Sequence, residues 1–148
     1  MKIFTTDNIR AIDRYTIEQE GVSSMELIHR VAEGVAGEIV SRFNPSKPTL
    51  IFAGSGNNGA DALIVAKLLI EAGFRPHIIL FNFKGCSLSR DCQAAKNELL
   101  SSGLKVDMLE VFDSAELPYI MPQHLVIDGM FGSGLRDPLT GGFMSLAR

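Results

Sequence analysis

The sequence has only two cysteines, and it has no apolar run of the length needed to span a bilayer. Cys86 and Cys92 are six residues apart, a spacing that fits neither a disulfide framework nor a pair of metal ligands. We therefore expect free thiols in a reducing compartment. The N-terminal stretch MKIFTTDNIRAIDRYTIEQE is too polar for a signal peptide. These absences predict a cytoplasmic protein, with an organelle as the alternative, and no membrane partner.

The chain also lacks an excess of positive charge. Its 14 lysines and arginines are outnumbered by 17 aspartates and glutamates, and no run of like charges forms a patch. This balance argues against nucleic acid as the main partner. With 148 residues, of which 46% are hydrophobic, the chain is long enough for one domain with a sizeable core.

Helical periodicity is clearest over residues 23–43, where apolar residues recur every three or four positions. Ser23 and Glu26 have the spacing of a capping box at its start. A shorter, more polar helix is predicted over residues 6–19. From residue 49 onward, short apolar strands at 50–53, 76–83, 105–111 and 124–128 alternate with helices at 61–72 and 89–102, and Gly73 and Gly103 follow the two helices.

Strands that are apolar throughout indicate burial on both faces, which is typical of a parallel sheet between helices. The predicted fold class is α/β: a Rossmann-like three-layer α/β/α sandwich with a mostly parallel sheet, preceded by two N-terminal helices. We expect residues 1–148 to form one domain that is truncated at its C-terminus, because the last segment only begins another helix before it ends.

Two glycine-rich loops follow predicted strands. The first, GSGNNGADA, begins at Gly54, and the second, DGMFGSGLRDP, begins at Asp128. In an open parallel sheet, ligands bind beyond the carboxyl ends of the strands. Both loops should therefore line the same edge of the sheet, and they form the predicted functional site.

The first loop matches the GxGxxG fingerprint of dinucleotide-binding proteins at Gly54, Gly56 and Gly59. That fingerprint also needs an acid at the end of the second strand to bind the ribose, and the sequence there is FNFK. Asp61 lies near the helix start, where a carboxylate would repel a pyrophosphate. A phosphate-binding P-loop is excluded, since GK[ST] is absent.

The residues of these two loops by themselves are compatible with a structural role and with a functional one. Glycine and asparagine are the residues that tight turns require, Asp61 could cap its helix, and Asp128 could accept hydrogen bonds from loop amides. Alternatively, Asp128 and an asparagine amide oxygen of the first loop could bind a hard cation. With so few carboxylates, a monovalent ion is the better match.

The two loops and the helix segment MELIHRVAEGVA together resemble the NAD(P)H-hydrate epimerase family, the YjeF N-terminal domain, from about residue 5 to the end of the chain. The resemblance implies an enzyme that interconverts the R and S epimers of hydrated NADH and NADPH (NADHX and NADPHX). It also implies potassium as cofactor, with Asn58 and Asp128 as ligands, and a homodimer. Its substrate-binding residues would be Asn57, Asn58, Gly59, Ala60, Asp61, Gly132, Ser133, Gly134, Leu135, Arg136, Asp137 and Pro138.

The family resemblance also implies features that this chain lacks or changes. Ala60 and Ala62 replace two glycines of the family motif NNGGDG, and each adds a methyl group where a ligand or the backbone could need space. The family has a further strand with a DxPSG-like motif, so the 148 residues are expected to be a fragment, weak or inactive by itself, of a parent that carries the activity. Many parents add an ADP- or ATP-dependent dehydratase domain.

Asp61 is the only carboxylate of the first loop, and epimerisation requires a positioned proton donor and acceptor. We therefore predict that Asp61 is the catalytic acid/base or orients the group that is. Two other hypotheses are a non-catalytic module that binds a nucleotide-like ligand or a protein, and an ordinary NAD(P)-dependent oxidoreductase. The missing acid after the second strand counts against the oxidoreductase.

Overall fold

The computed structural model describes residues 3–83, 87–113 and 118–133. Four helices and four strands occur in this part of the chain, in the predicted order. Their bounds are α1 Thr6–Glu20, α2 Ser24–Arg42, β1 Thr49–Ala53, α3 Asn57–Glu71, β2 His77–Phe81, α4 Arg90–Ser101, β3 Asp107–Val111 and β4 Leu125–Gly129. No helix within these ranges is long and apolar enough to cross a membrane.

The four strands form one parallel sheet in the order β3-β2-β1-β4, which confirms the predicted α/β class. The register places Ile51 of β1 between Ile78 of β2 and Ile127 of β4. β1 is buried along its whole length, and β2 along all but its first residue. β3 and β4 are partly exposed, so the prediction that the strands are buried on both faces is correct only for the two central ones.

On one face of the sheet, α3 packs on β1 and β4, and α2 and α4 pack on α3. Buried residues of the three helices and of β1 and β2 form one apolar cluster there. The helix residues include Ala32, Leu63 and Leu99, one from each helix. The other face has its own apolar cluster around Phe52 and Phe81, whose rings stack with centroids 6.3 Å apart. Among the described residues, this second cluster consists of strand residues and of Phe83 and Met130, which follow strands.

The helix ends confirm most of the predicted signals. Ser23 caps α2 in a complete capping box with Glu26. Gly73 and Gly103 have φ angles of 93° and 75°, in the left-handed region that glycine occupies without strain. The bounds of α3 differ from the prediction, because the helix begins at Asn57 rather than at residue 61. Asparagine and glycine are poor helix formers, so the first turn of α3 gives no helical signal in the sequence.

Candidate functional site

The two glycine-rich loops are neighbours in the structure, as predicted, because β1 and β4 pair directly. The backbone N–H of Gly54 donates to the carbonyl of Gly129, at 3.0 Å. The Asn58 side chain then joins the two loops, since its Nδ2 donates to the carbonyl oxygen of Phe131 at 2.9 Å. The first turn of α3 and the residues after β4 therefore form one site at the carboxyl edge of the sheet.

Three glycines allow these backbones to approach one another. A Cβ at Gly54 would lie 2.0 Å from the carbonyl oxygen of Met130, and a Cβ at Gly59 would lie 1.9 Å from the carbonyl oxygen of Gly54. A Cβ at Gly129 would lie 2.5 Å from the Ala62 methyl group. At Gly56, by contrast, a Cβ would meet nothing within 4 Å. Close backbone packing explains Gly54, Gly59 and Gly129, and Gly56 faces open space.

The two alanines that depart from the family motif are accommodated inside the protein. Ala60 is fully buried in the main core and Ala62 nearly so. Both lie within α3, and no non-glycine residue in the described part of the chain has a positive φ. The backbone is therefore unstrained at both residues, and the effect of these methyl groups on ligand binding stays a prediction.

The Asp61 carboxyl is half-buried at the start of the second turn of α3. Its burial, with a smaller contribution from the nearby negative charge of Asp13 on α1, raises its pKa from 3.8 to about 6. No hydrogen bond contributes to this pKa. The N-cap of α3 is Gly56, so the interpretation of Asp61 as a helix cap is wrong. A carboxyl with this pKa exchanges protons readily near neutral pH, which is the requirement for general acid/base chemistry.

Asp128 lies at the end of β4 and is exposed. Its Oδ1 accepts a hydrogen bond from the backbone N–H of Met130 at 2.9 Å, as the structural interpretation predicted. This bond leaves the other carboxylate oxygen available to a ligand. Because Asn58 uses its Nδ2 to bind Phe131, its amide oxygen is available as well. A carboxylate and an amide oxygen are hard ligands, and a cation site formed by these two side chains stays a prediction.

Asn57, at the start of α3, is held by α4. The backbone N–H of Ser89 donates to the carbonyl of Ser55 at 2.7 Å, and the Ser89 hydroxyl donates to Asn57 Oδ1 at 3.2 Å. Ser89 also caps α4 through the N–H of Cys92. The sequence marks Ser89 only as a helix start, so its contact with the site was not predicted.

Two residues of α1 also reach the site, and neither was predicted from the sequence. Arg10 donates from Nη2 to the carbonyl oxygen of Ser133 at 2.7 Å, and Asp13 acts on Asp61 through its charge. Of the predicted substrate-binding residues, Asn57 to Asp61 are the first five residues of α3, and Asn58 lies against the second loop at Gly132. Ser133 accepts the hydrogen bond from Arg10. The other predicted members, Gly134, Leu135, Arg136, Asp137 and Pro138, lie outside the described residues, as does Cys86.

The chain matches one protein family and is similar in sequence to curated proteins. The family described as YjeF-related protein N-terminus matches residues 24–148. The chain is 31% identical to the NAD(P)H-hydrate epimerase of Limosilactobacillus reuteri over 143 residues, which cover 96% of this chain and 64% of that protein. It is also 31% identical to the bifunctional NAD(P)H-hydrate repair enzyme Nnr of Salinibacter ruber over 154 residues, which cover 93% of this chain and 28% of that protein. The chain thus spans less than two thirds of these curated relatives.

A solved structure shares the fold. The crystal structure of yeast ynu0, YNL200c, aligns with a TM-score of 0.81 over 99% of this chain and 63% of that chain. Sequence identity in this alignment is 22%, so it supports the architecture alone.

Proposed function

Because the chain belongs to the family of YjeF-related protein N-termini, we propose that its parent protein epimerises the hydrated forms of NADH and NADPH as part of nicotinamide cofactor repair. The named relatives support this proposal, since they are an NAD(P)H-hydrate epimerase and a bifunctional NAD(P)H-hydrate repair enzyme. The activity is an isomerisation, and it needs no net oxidation or reduction.

The observation that carries the proposal is the half-buried Asp61 carboxyl on α3, one turn after Asn58, whose side chain joins the two loops. Its pKa of about 6 means that both its protonated and its ionised forms are populated close to neutral pH. In epimerisation, the protonated acid would donate to the substrate hydroxyl, which leaves as water from the carbon next to the ring nitrogen. Asp61, now ionised, would recover a proton from the water that adds to the opposite face of the same carbon. The proton and the water balance over the cycle.

The remaining proposed roles divide between binding and organisation. Asn57 is oriented by Ser89 and Asn58 by Phe131, so both amides are fixed before a ligand binds. Asn58 and Asp128 would hold a potassium ion through their amide and carboxylate oxygens. That ion would add positive charge between the two loops and so support the binding of a nucleotide substrate.

Two further properties of the parent protein are part of the proposal. A fused dehydratase domain is supported by the bifunctional relative, of which this chain covers 28%. A homodimer is supported by apolar side chains that α1 and α2 expose, among them Ile12, Tyr15, Val31 and Val35.

The test is an epimer-exchange assay with the full-length protein. A pure epimer of NADHX is incubated with the protein and potassium, and the appearance of the other epimer is followed by chromatography. The Asp61→Asn variant should lose about 100-fold or more of the rate, the range typical of a general acid/base. Asp91→Asn is a matched control, because Asp91 also lies in the first part of a helix, where it accepts a hydrogen bond from Ser24.

Three outcomes have distinct meanings. Exchange that depends on Asp61 but not on Asp91 supports the proposal. Nucleotide binding without exchange, in the wild-type protein, would indicate the non-catalytic module instead. Tight binding of intact NAD together with oxidation or reduction of nicotinamide would indicate an oxidoreductase, and the epimerase proposal would be rejected.

A further inference from the structure

Helix α1 is joined to the second loop by the side chain of Arg10. Of residues 6–15, all are exposed except Arg10, and α1 has no buried residue. Within residues 6–15, Arg10 is thus the least exposed residue. The helix lies before residues 24–148, the part of the chain that matches the family.

Arg10 binds the backbone of the second loop. Its Nη2 donates to the carbonyl oxygen of Ser133 at 2.7 Å, a contact between residues 123 positions apart. Its Nη1 lies 3.9 Å from Oδ1 of Asp7, one turn earlier on α1. Because the Asp7 side chain is 93% exposed, this ion pair orients the guanidinium but contributes little to stability.

The same short segment of the second loop also contacts α3. Phe131 accepts the hydrogen bond from Asn58 Nδ2, and a Cβ at Gly132 would lie 3.2 Å from the Asn58 Cβ. Residues 131–133 therefore lie between Asn58 and Arg10. A charged donor that binds a loop carbonyl fixes the loop position before a ligand arrives.

A second observation supports the proximity of α1 to the first turns of α3, where Asp61 lies. Asp13, three residues after Arg10 on α1, is close enough to Asp61 for its charge to act on that carboxyl. Two neighbouring side chains of α1 thus lie near two different parts of the site.

We propose that Arg10 is a positioning residue of this site and that it holds residues 131–133 of the second loop in place through the Ser133 carbonyl. The proposal assigns α1 a part in substrate binding, and it has two forms. The structural form is that Arg10 fixes residues 131–133, and this does not depend on which substrate the site takes. The kinetic form is that this fixing lowers KM, and it rests on the epimerase function proposed above.

The structural form is tested first, by hydrogen–deuterium exchange on the full-length protein without substrate. Arg10→Gln should increase exchange in peptides that cover residues 129–133, while peptides from β1 and β2 stay unchanged. Arg14→Gln is the matched control, since it removes the same charge from the same helix at an exposed position. Unchanged exchange around residues 129–133 in Arg10→Gln would overturn the proposal, whatever the protein catalyses.

The kinetic form is tested in the epimer-exchange assay. Arg10→Gln should raise KM by about tenfold with kcat within about twofold, because a fixed loop lowers the ordering cost of binding and leaves the chemical step unaffected. Arg10→Lys keeps a cationic donor and should recover part of the loss, and Arg14→Gln should behave as wild type. A fall in kcat with unchanged KM, or no rescue by lysine, would contradict a positioning role. An inactive wild-type protein would reject the epimerase proposal, and the exchange experiment would still decide the role of Arg10.

Discussion

The replacement Asp61→Asn should stabilise the folded protein at neutral pH while it removes the proposed activity. Asparagine has the shape of aspartate but carries no charge, so the substitution removes only the ionisation of a half-buried carboxyl. Burial, and secondly the charge of Asp13, raises the pKa of Asp61 from 3.8 to about 6. The ionised form is therefore less stable in the folded protein than in the unfolded chain.

The magnitude follows from this difference in pKa. At about 1.36 kcal/mol for each pKa unit, the ionised Asp61 costs about 3 kcal/mol of folding free energy at neutral pH. Since part of the carboxyl contacts solvent, screening reduces this cost, and we expect Asp61→Asn to raise the free energy of unfolding by about 1 to 2 kcal/mol at pH 7.5.

The dependence on pH identifies the cause. Below pH 3.8 the carboxyl is protonated in both states, so wild type and Asp61→Asn should have equal stability. As the pH rises from 3.8 to about 6, the carboxyl ionises more readily in the unfolded chain than in the folded protein, so the free energy of unfolding of wild type falls relative to that of Asp61→Asn. Above about pH 6 the carboxyl is ionised in both states, and the difference between the two proteins should level off. Urea unfolding at several pH values from 4 to 8 measures this difference.

A control and a refuting result complete this prediction. Asp13→Asn should give a smaller stabilisation over the same pH range, because the charge of Asp13 is the lesser cause of the raised pKa. If Asp61→Asn were less stable than wild type at pH 7.5, or if the difference did not change between pH 4 and 8, the reasoning about desolvation would be refuted.

Three further predictions follow from the packing around the loops. Gly54→Ala should lower the free energy of unfolding by about 3 kcal/mol or more, or prevent folding, because the new Cβ would lie 2.0 Å from the carbonyl oxygen of Met130. Gly56→Ala should change the free energy of unfolding by less than about 1 kcal/mol, because its Cβ would meet no atom within 4 Å. Urea unfolding measures both values, and similar effects of the two substitutions would contradict the loop geometry. Ala60→Gly should destabilise by about 1 to 2 kcal/mol through a lost buried methyl group and lower helix propensity, and a stabilised variant would refute this. Burial raises the pKa of the Cys92 thiol to about 11, so Cys92 should not react with iodoacetamide at pH 8 until the protein unfolds. Peptide mass spectrometry measures the alkylation, and rapid alkylation of the folded protein would contradict this prediction.

The architecture was predictable because each element has a strong local pattern. The apolar strands, the amphipathic α2 and the glycines after α3 and α4 all act within a few residues, and their predicted order is confirmed. The start of α3 was not predictable in this way. Its first residues, Asn57 to Gly59, form helix because the helix packs on the sheet, and tertiary packing overrides their low propensity.

The site was predictable to the extent that topology determines it. Parallel neighbours β1 and β4 must end at the same edge, which brings Asn58 close to the residues after Asp128. The contributions of Arg10 and Ser89 could not be read from the sequence. Their partners are 123 and 32 residues away, and a charged residue on a polar helix has the same local pattern whether it binds a loop or only solvent.

The glycine pattern alone does not distinguish an epimerase from a dinucleotide oxidoreductase. Close packing at Gly54 and Gly59, with open space at Gly56, is what a dinucleotide-binding loop also requires. The distinction lies in the polar groups. At the end of β2, where an oxidoreductase needs a free acid for the ribose, Asn82 instead donates to Glu110 on β3, and Glu110 also binds Lys96. Asp61, with its pKa of about 6, is mostly ionised at neutral pH and disfavours the binding mode in which the pyrophosphate of a dinucleotide lies on the N-terminus of α3. A carboxyl that gains and loses a proton near neutral pH also has the property that an acid/base needs to remove water from a hydrated nicotinamide ring and add it back.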